Sequence, residues 1–279
     1  MQSLLPDIIV LIPHYNDIKG LNRSLASIST RQPVDVLIVD DDSLVKPDQE
    51  ELRRTHPHIN SITVLFSSPN KGPAYVQNIG IRHILTNAHH KFIARLDQGD
   101  TCSSERFRVQ REFLVNNPDV FLLGSHALIT DAEGRELFVS RMPLGSAEIK
   151  RRMHAHCCFI HSSVMFRAEA IEKVGYYPTH YYGNDDYPYW FRFVNAFPTA
   201  NIDARLVTYE LHLNSYSRGK YRRELRSRIR ILLGNFSFRY FFSSIEGLSK
   251  AFICYVIGVK LATRAAIIIG KFKGAQALH

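Results

Sequence analysis

Val36-Leu37-Ile38-Val39 runs straight into Asp40-Asp41-Asp42-Ser43, and the reading of this stretch decides the fold. A strand buried on both faces shows as a continuous β-branched and apolar run, and open α/β sheets bind ligands just beyond the carboxyl ends of such strands. The pattern recurs where Phe92-Ile93-Ala94-Arg95-Leu96 leads into Asp97-Gln98-Gly99-Asp100. Carboxylates gathered along one sheet edge repel one another unless a cation or a hydrogen-bond donor sits among them. A divalent metal with a nucleoside diphosphate meets that need, so a nucleotide-sugar or nucleotidyl-transfer site is expected there.

Outward from these two runs, the front of the chain alternates. Ile8 to Pro13 predicts a first strand, with a loop at His14-Tyr15-Asn16-Asp17, and Leu21, Leu25 and Ile28 then recur at helical spacing. Val34 to Val39 is the second strand, Pro47 to Arg54 a polar surface helix, and Ile62 to Phe66 a third strand. Asn70-Lys71-Gly72-Pro73 has turn chemistry, Val76, Ile79 and Ile84 mark another helix, and Phe92 to Leu96 is the fourth strand. Four strand–helix alternations imply a right-handed, mostly parallel α/β sheet flanked by helices. After Asp100 the rhythm changes: Phe107 to Leu114 reads as helix, Val120 to Ile129 as strand, Asp131 to Gly134 as a turn, Ser163 to Arg167 as a short strand, and Asn184 to Phe193 as an aromatic helix.

The net charge of +9 is unevenly placed. From Arg218 onward there are 13 Lys/Arg against 2 Asp/Glu, whereas the first 217 residues carry 22 basic and 24 acidic side chains. The basic character therefore belongs to residues 218–279, an expected helical appendage whose charge suits an anionic surface. Within Lys250 to Gly270 the uncharged stretch Ala251 to Val259 is too short to span a bilayer. Lys250, Lys260, Arg264 and Lys271 share one helical face, and Phe252, Val256, Val259 and Ile267 lie opposite, the pattern of a helix lying in a membrane interface. An amphipathic helix packed on the domain would show the same pattern. Nucleic acid, the other anionic partner, would engage Arg222, Arg223, Arg226, Arg228 and Arg230 but leaves the front 217 residues unexplained, and none is expected. Cys102, Cys157, Cys158 and Cys254 lack metal-ligand spacing, and Met1 to Leu5 lacks a basic leader segment, so a reduced cytoplasmic setting is expected.

Taken in order, the motifs resemble the family 2 glycosyltransferases of GT-A fold. Val10-Leu11-Ile12-Pro13-His14-Tyr15-Asn16 resembles that family's first strand and turn, and Ile38-Val39-Asp40-Asp41-Asp42-Ser43 its nucleotide-binding acidic turn. Asn70-Lys71-Gly72 with Asn78-Ile79-Gly80 is similar to its helix entry, and Asp97-Gln98-Gly99-Asp100 sits where its metal motif falls. His161-Ser162-Ser163-Val164-Met165-Phe166-Arg167, Asp185-Asp186-Tyr187-Pro188-Tyr189-Trp190 and Tyr209-Glu210-Leu211-His212 complete the series. The departures are Gly99 for the central metal-motif Asp, Asp185 for Glu, Pro188 for Asp and Glu210 for Arg. The first leaves metal ligation to Asp97, Asp100 or both.

The resemblance implies a glycosyltransferase domain over 1–217, with a nucleotide half at about 1–100 and an acceptor half at about 101–217. It implies nucleotide contacts at Pro13, Tyr15, Asn16, Asp40, Asp41, Lys71, Gly72, Asn78 and Asp97, with Asp41 on the base and Asp40 on the ribose or supporting the loop. Mn²⁺ or Mg²⁺ would be held by Asp97, Asp100 and His212. Asp186, with Asp185 as the alternative, would be the general base of an inverting transfer, because a neighbouring carboxylate raises one pKa of such a pair. Trp190 is expected in the core, while Tyr187 or Tyr189 could stack on an acceptor sugar. The implied activity is inverting, metal-dependent transfer of a sugar from a nucleotide-diphospho-sugar to a hydroxyl of a saccharide or glycolipid, a lipid-linked acceptor at the inner face of the cell membrane. The alternative is a catalytically degenerate nucleotide-binding scaffold at a membrane surface, for which Gly99 argues.

Overall fold

The apolar runs become the centre of a nine-stranded sheet in the computed structural model, which describes residues 6–28, 31–86, 89–131, 133–211, 218–257, 261 and 268, with 218–219 as backbone only. The first half alternates β1 (Ile8–His14), α1 (Ile18–Ala26), β2 (Asp35–Asp41), α2 (Gln49–Thr55), β3 (Ser61–Ser67), α3 (Pro73–Thr86) and β4 (Phe92–Arg95). The second half adds β5 (Thr101–Cys102), α4 (Arg106–Asn116), β6 (Leu122–Thr130), β7 (Glu136–Ser140), α5 (Ser146–Arg152), β8 (Met165–Arg167), α6 (Ile171–Val174), α7 (Asp186–Ala196) and β9 (Thr199–Glu210). The helices α8 (Arg218–Gly234) and α9 (Phe241–Ile257) follow.

Strand order is β3-β2-β1-β4-β8-β6-β9-β5, with β7 paired to β6. The strands β1 to β4 are parallel, and β8 pairs antiparallel with both β4 and β6. Because the chain moves outward from β1 to β3 and then returns to the other side of β1, a crevice opens beyond the carboxyl ends of β1, β2 and β4. Side chains of β1 alternate between two cores. Ile8, Val10 and Ile12 meet Leu21 and Leu25 of α1, whereas Ile9 and Leu11 belong to the core of α3 and the aromatic helix α7. Gly80 lets α3 lie close to the sheet, since a Cβ there would stand 2.3 Å from Leu11 Cδ1. Side-chain caps fix two helix starts, Asp17 accepting from Gly20 N–H at 2.8 Å and Asp48 from Glu51 N–H at 2.9 Å.

The sequence reading leaves out β5, β7, α5, α6 and β9. Strand β9 alternates polar and apolar over twelve residues with a polar centre, and it holds together by parallel pairing to β6 across two register shifts. The short strand expected over Ser163 to Arg167 begins instead as a 3-10 turn at His161–Ser163 and becomes extended only at Met165. Trp190 is fully buried, and so are Tyr187 and Tyr189, which places both tyrosines in the core away from any acceptor sugar. Helices α8 and α9 also join that core, through Ile231, Leu232 and Ala251. Lys260, Arg264, Lys271, Val259 and Ile267 lie outside the described residues.

Candidate active site

Strand alternation separates the two neighbouring acids at the end of β2. Asp41 projects toward the crevice, where Oδ1 accepts the Lys71 N–H at 2.9 Å and Oδ2 the Gly72 N–H at 2.7 Å. Gly72 adopts φ +91°, a left-handed conformation open to glycine, which turns its N–H toward that carboxylate. Asp40 points the other way and is completely buried, bonded to His14 Nδ1 at 2.8 Å and accepting the Ser43 N–H at 3.0 Å. Burial works to raise its carboxyl, but the bonds from Ser43 and His14 win and hold it below the usual range. Asp40 thus closes the loop onto His14 and Ser43.

Asn16, at φ +51°, ties the same loops together, its N–H reaching Ser43 Oγ at 2.9 Å and its Oδ1 accepting from Leu44 N–H at 2.8 Å. Tyr15 is half exposed and is gripped through its backbone by the Gln98 amide, which accepts the Tyr15 N–H at 2.7 Å and donates to the Tyr15 carbonyl at 2.9 Å. Asn78 is buried and spends both ends of its amide on the backbone of Tyr177, at 2.9 and 2.8 Å.

Asp97 follows β4 and faces the crevice from within a charged network. Arg95 is fully buried, donates to Asp97 Oδ1 at 2.6 Å and also bonds the Leu11 carbonyl. His161 Nδ1 stands 3.2 Å from Asp97 Oδ2. Burial acts to raise the Asp97 carboxyl, yet the His161 ring and the Arg95 guanidinium hold it well below the usual carboxylate range. Asp100 is turned inward instead, where it accepts from the Ser162 hydroxyl, and burial together with the Asp97 charge pushes it up to about 7. Gly99 has a conformational reason to be glycine: its φ is +92°, and a Cβ would meet Arg23 Nη2 at 3.2 Å.

The last two acids arrive from a distant part of the chain. Asp185 precedes the first turn of α7 and Asp186 opens it, with Asp186 Oδ1 accepting the Tyr187 N–H at 2.8 Å. Burial and the Asp186 charge raise Asp185 to about 6, and burial raises Asp186 as well. Pro13, Tyr15, Asp41, Gly72, Asp97, Asp185 and Asp186 all line one cavity of about 780 Å³. Asn16, Asp40, Asn78 and Asp100 are not on its wall, and Lys71 lines an adjoining groove of about 940 Å³. His212 lies outside the described residues. His161 and Gln98, quoted in the motifs but given no role of their own, also line the cavity, as do Tyr182 and Lys220, which no motif contained. The signal for the His161 network was available in Arg95, a cation inside an otherwise apolar strand that demands a buried partner.

As a metal seat, the cavity offers the Asp97 carboxylate, whose oxygens keep lone pairs beyond those used by Arg95 and His161. That fits a hard cation of the Mg²⁺ or Mn²⁺ kind, which commonly takes one or two carboxylates and completes its shell with substrate phosphates and water.

The fold is shared with solved structures at low sequence identity. The mannosyltransferase PcManGT from Pyrobaculum calidifontis, solved with GDP-Man and Mn²⁺, superposes with a TM-score of 0.65 at 16% identity, covering 99% of this chain and 79% of that one. S. aureus TarS 1-349 with UDP-GlcNAc gives a TM-score of 0.63 at 15% identity over 89% of this chain and 73% of that one, and the chain spans only 43% of a longer TarS structure. Both have the GT-A fold, which this chain therefore shares. Among curated sequences, the amylovoran biosynthesis glycosyltransferase AmsE of Erwinia amylovora is 27% identical over 197 residues, 69% of this chain and 72% of its own. The model of "Glycosyl transferase family 2" matches residues 9–175, from β1 through the acidic turns to the end of α6. With that match spanning more than half of its residues, the chain belongs to glycosyl transferase family 2 and is a glycosyltransferase.

Proposed function

We propose that this glycosyltransferase moves a sugar, with inversion at the anomeric carbon, from a nucleotide-diphospho-sugar to a hydroxyl of a phosphate-bearing, lipid-linked saccharide. One observation carries the reading: Asp41, Asp97, Asp185 and Asp186, drawn from three separate parts of the chain, line a single cavity beyond the carboxyl ends of the parallel strands. Asp41 and the Gly72 turn hold the nucleoside end, beside Pro13 and Tyr15. Asp97 faces the diphosphate and would hold Mn²⁺ or Mg²⁺, which when bound supplies positive charge to the departing diphosphate. The likeness to PcManGT, solved with GDP-Man and Mn²⁺, and to TarS, solved with UDP-GlcNAc, supports a nucleotide-sugar donor and a divalent metal.

Asp186 is the general base and Asp185 its alternative. The acceptor O–H gives its proton to the carboxylate as its oxygen bonds the anomeric carbon, and the bond from that carbon to the diphosphate oxygen breaks on the opposite face. Burial suits the carboxylate to this role by raising its basicity.

The adjoining groove supports an anionic acceptor. It meets the cavity at Asn70, Gly72, Tyr182, Asp185 and Lys220, and it carries Lys71, Arg223, Arg226 and Arg230. The likeness to AmsE, an amylovoran biosynthesis glycosyltransferase, agrees with a growing polysaccharide. Helix α9 supports a membrane surface, because it packs its small residues Ser243, Ser244, Gly247 and Ala251 inward and turns Phe242, Ile245, Phe252, Ile253 and Val256 outward, with Phe242 87% exposed. Among the described residues no helix is long and apolar enough to cross a membrane. The enzyme would act from the cytoplasm, peripherally, with 218–279 as its membrane-facing appendage to the catalytic domain at 1–217.

Transfer from UDP-, GDP- and dTDP-sugars, with and without Mn²⁺, tests the reading in wild type and in Asp186→Asn. Loss of transfer by about a thousandfold or more in the variant, with nucleotide binding retained, is expected. Equal turnover in both proteins removes Asp186 from the mechanism.

A further inference from the structure

A second cluster of ligand-type side chains lies at the opposite end of the sheet. Asp35 is the first residue of β2, roughly 20 Å along the strand from Asp41. His89 and His90 precede β4, whose amino end lies at the same edge because β1, β2 and β4 are parallel. Asp35 Oδ2 stands 2.8 Å from His90 Nε2 and 3.7 Å from His89 Nε2, and one ligand atom from each of the three lies within 4.8 Å of the others.

The carboxylate is held in place from behind, where Oδ1 accepts from Asn60 Nδ2 at 2.7 Å and from Ser61 Oγ at 2.6 Å. Such outer bonds orient a metal-ligating carboxylate. His90 is 92% buried, and its Nδ1 has no hydrogen-bond partner among the described residues. The His89 ring lies against that of His90, with centroids 3.7 Å apart. Beside the three residues is a cavity of about 280 Å³, walled by Ile9, Leu37 and Ile84 and also lined by His83.

We propose that Asp35, His89 and His90 form a binding site for a Zn²⁺-class ion, distinct from the catalytic cleft. Two imidazoles and one carboxylate are a borderline donor set that favours Zn²⁺ or Co²⁺ over Mg²⁺ and Mn²⁺, which prefer all-oxygen shells. His83 or water would complete four-coordination. The ion would tie the start of β2 to the segment ahead of β4, the two strands whose far ends carry Asp41 and Asp97. Its role would be to stiffen the sheet beneath the active site.

The test is titration of the untagged, chelator-stripped full chain with Zn²⁺ by calorimetry, and with Co²⁺ by visible absorption. One equivalent is expected, with the strong bands of a four-coordinate Co²⁺ ion and a rise in melting temperature of about 5 °C near hundredfold saturation. His89→Ala, an exposed position that folding tolerates, should weaken binding about tenfold or more and abolish the rise. Asp97→Asn should leave the equivalent in place. Wild-type Zn²⁺ affinity in both His89→Ala and His90→Asn overturns the proposal. Loss of binding in Asp97→Asn also overturns it, by placing the ion in the catalytic cleft.

Discussion

His161 Nδ1 stands 3.2 Å from Asp97 Oδ2, while His161 Nε2 accepts from Arg95 Nε–H at 3.4 Å. The same Nε2 stands 3.1 Å from the Tyr177 hydroxyl, so the ring is held on that side by two groups while Nδ1 faces Asp97. Arg95 also donates directly to Asp97 Oδ1 at 2.6 Å, so the imidazole and the fully buried guanidinium act together on the carboxylate that lines the cavity.

Removing that ring should be felt at Asp97. His161→Ala takes away a bond to a charged group, and a loss of about 10- to 100-fold in kcat/KM is expected. Since His161 lowers the Asp97 pKa, the variant should also need a higher pH to keep Asp97 ionised. A pH–rate profile identical to that of wild type would deny His161 this role.

The Asp185–Asp186 pair should set the acid side of the pH profile. A general base must be unprotonated, so kcat/KM should fall as pH drops through about 6, the value to which burial and the Asp186 charge raise Asp185. The two carboxyls titrate as a unit, and the limb belongs to the pair. Asp185→Asn removes one of two facing negative charges and should move the limb to lower pH, whereas Asp186→Asn should remove transfer. Rate measurements between about pH 5 and pH 9 distinguish these outcomes.

Asp41, the proposed nucleotide contact, also holds its loop through the Lys71 and Gly72 N–H groups. Asp41→Ala discards the carboxylate that accepts from the Lys71 and Gly72 N–H groups, each worth about 1.5–3 kcal/mol as a bond to a charged group. Loss of about 2–3 kcal/mol of unfolding free energy and a 10- to 100-fold weaker nucleotide affinity are expected. Urea unfolding with nucleotide titration measures both, and an unchanged affinity would exclude Asp41 from the donor site.

Asp100 gives a stability test free of catalysis. Its folded pKa of about 7 lies above the unfolded value of 3.8, so the folded chain holds this proton more tightly. The associated stability is present at low pH and is lost as pH rises from about 4 through about 7, by at most about 4 kcal/mol. Asp100→Asn should flatten that slope. Unfolding free energies at about pH 4.5 and pH 8 provide the comparison, and equal slopes would show that Asp100 ionises without cost.

The sequence alone determined β1 to β4, their parallel sense and the positions of Asp41 and Asp97, because a fully buried strand needs an unbroken apolar run and its carboxyl end is where the acids begin. It also supplied the ordered motifs that carry the family resemblance. Only the tertiary structure decided that Asp41 faces the cavity while Asp40 closes onto His14, since strand alternation becomes specific only with register. It decided that Asp100 turns inward to Ser162, and that α7 brings Asp185 and Asp186 to the wall facing Asp97. It also formed β9 by pairing with β6, and it joined Asp35 to His89 and His90 across the sheet. Each of these contacts joins residues far apart in the chain, and no local propensity records them, because their free energy appears only when the sheet closes.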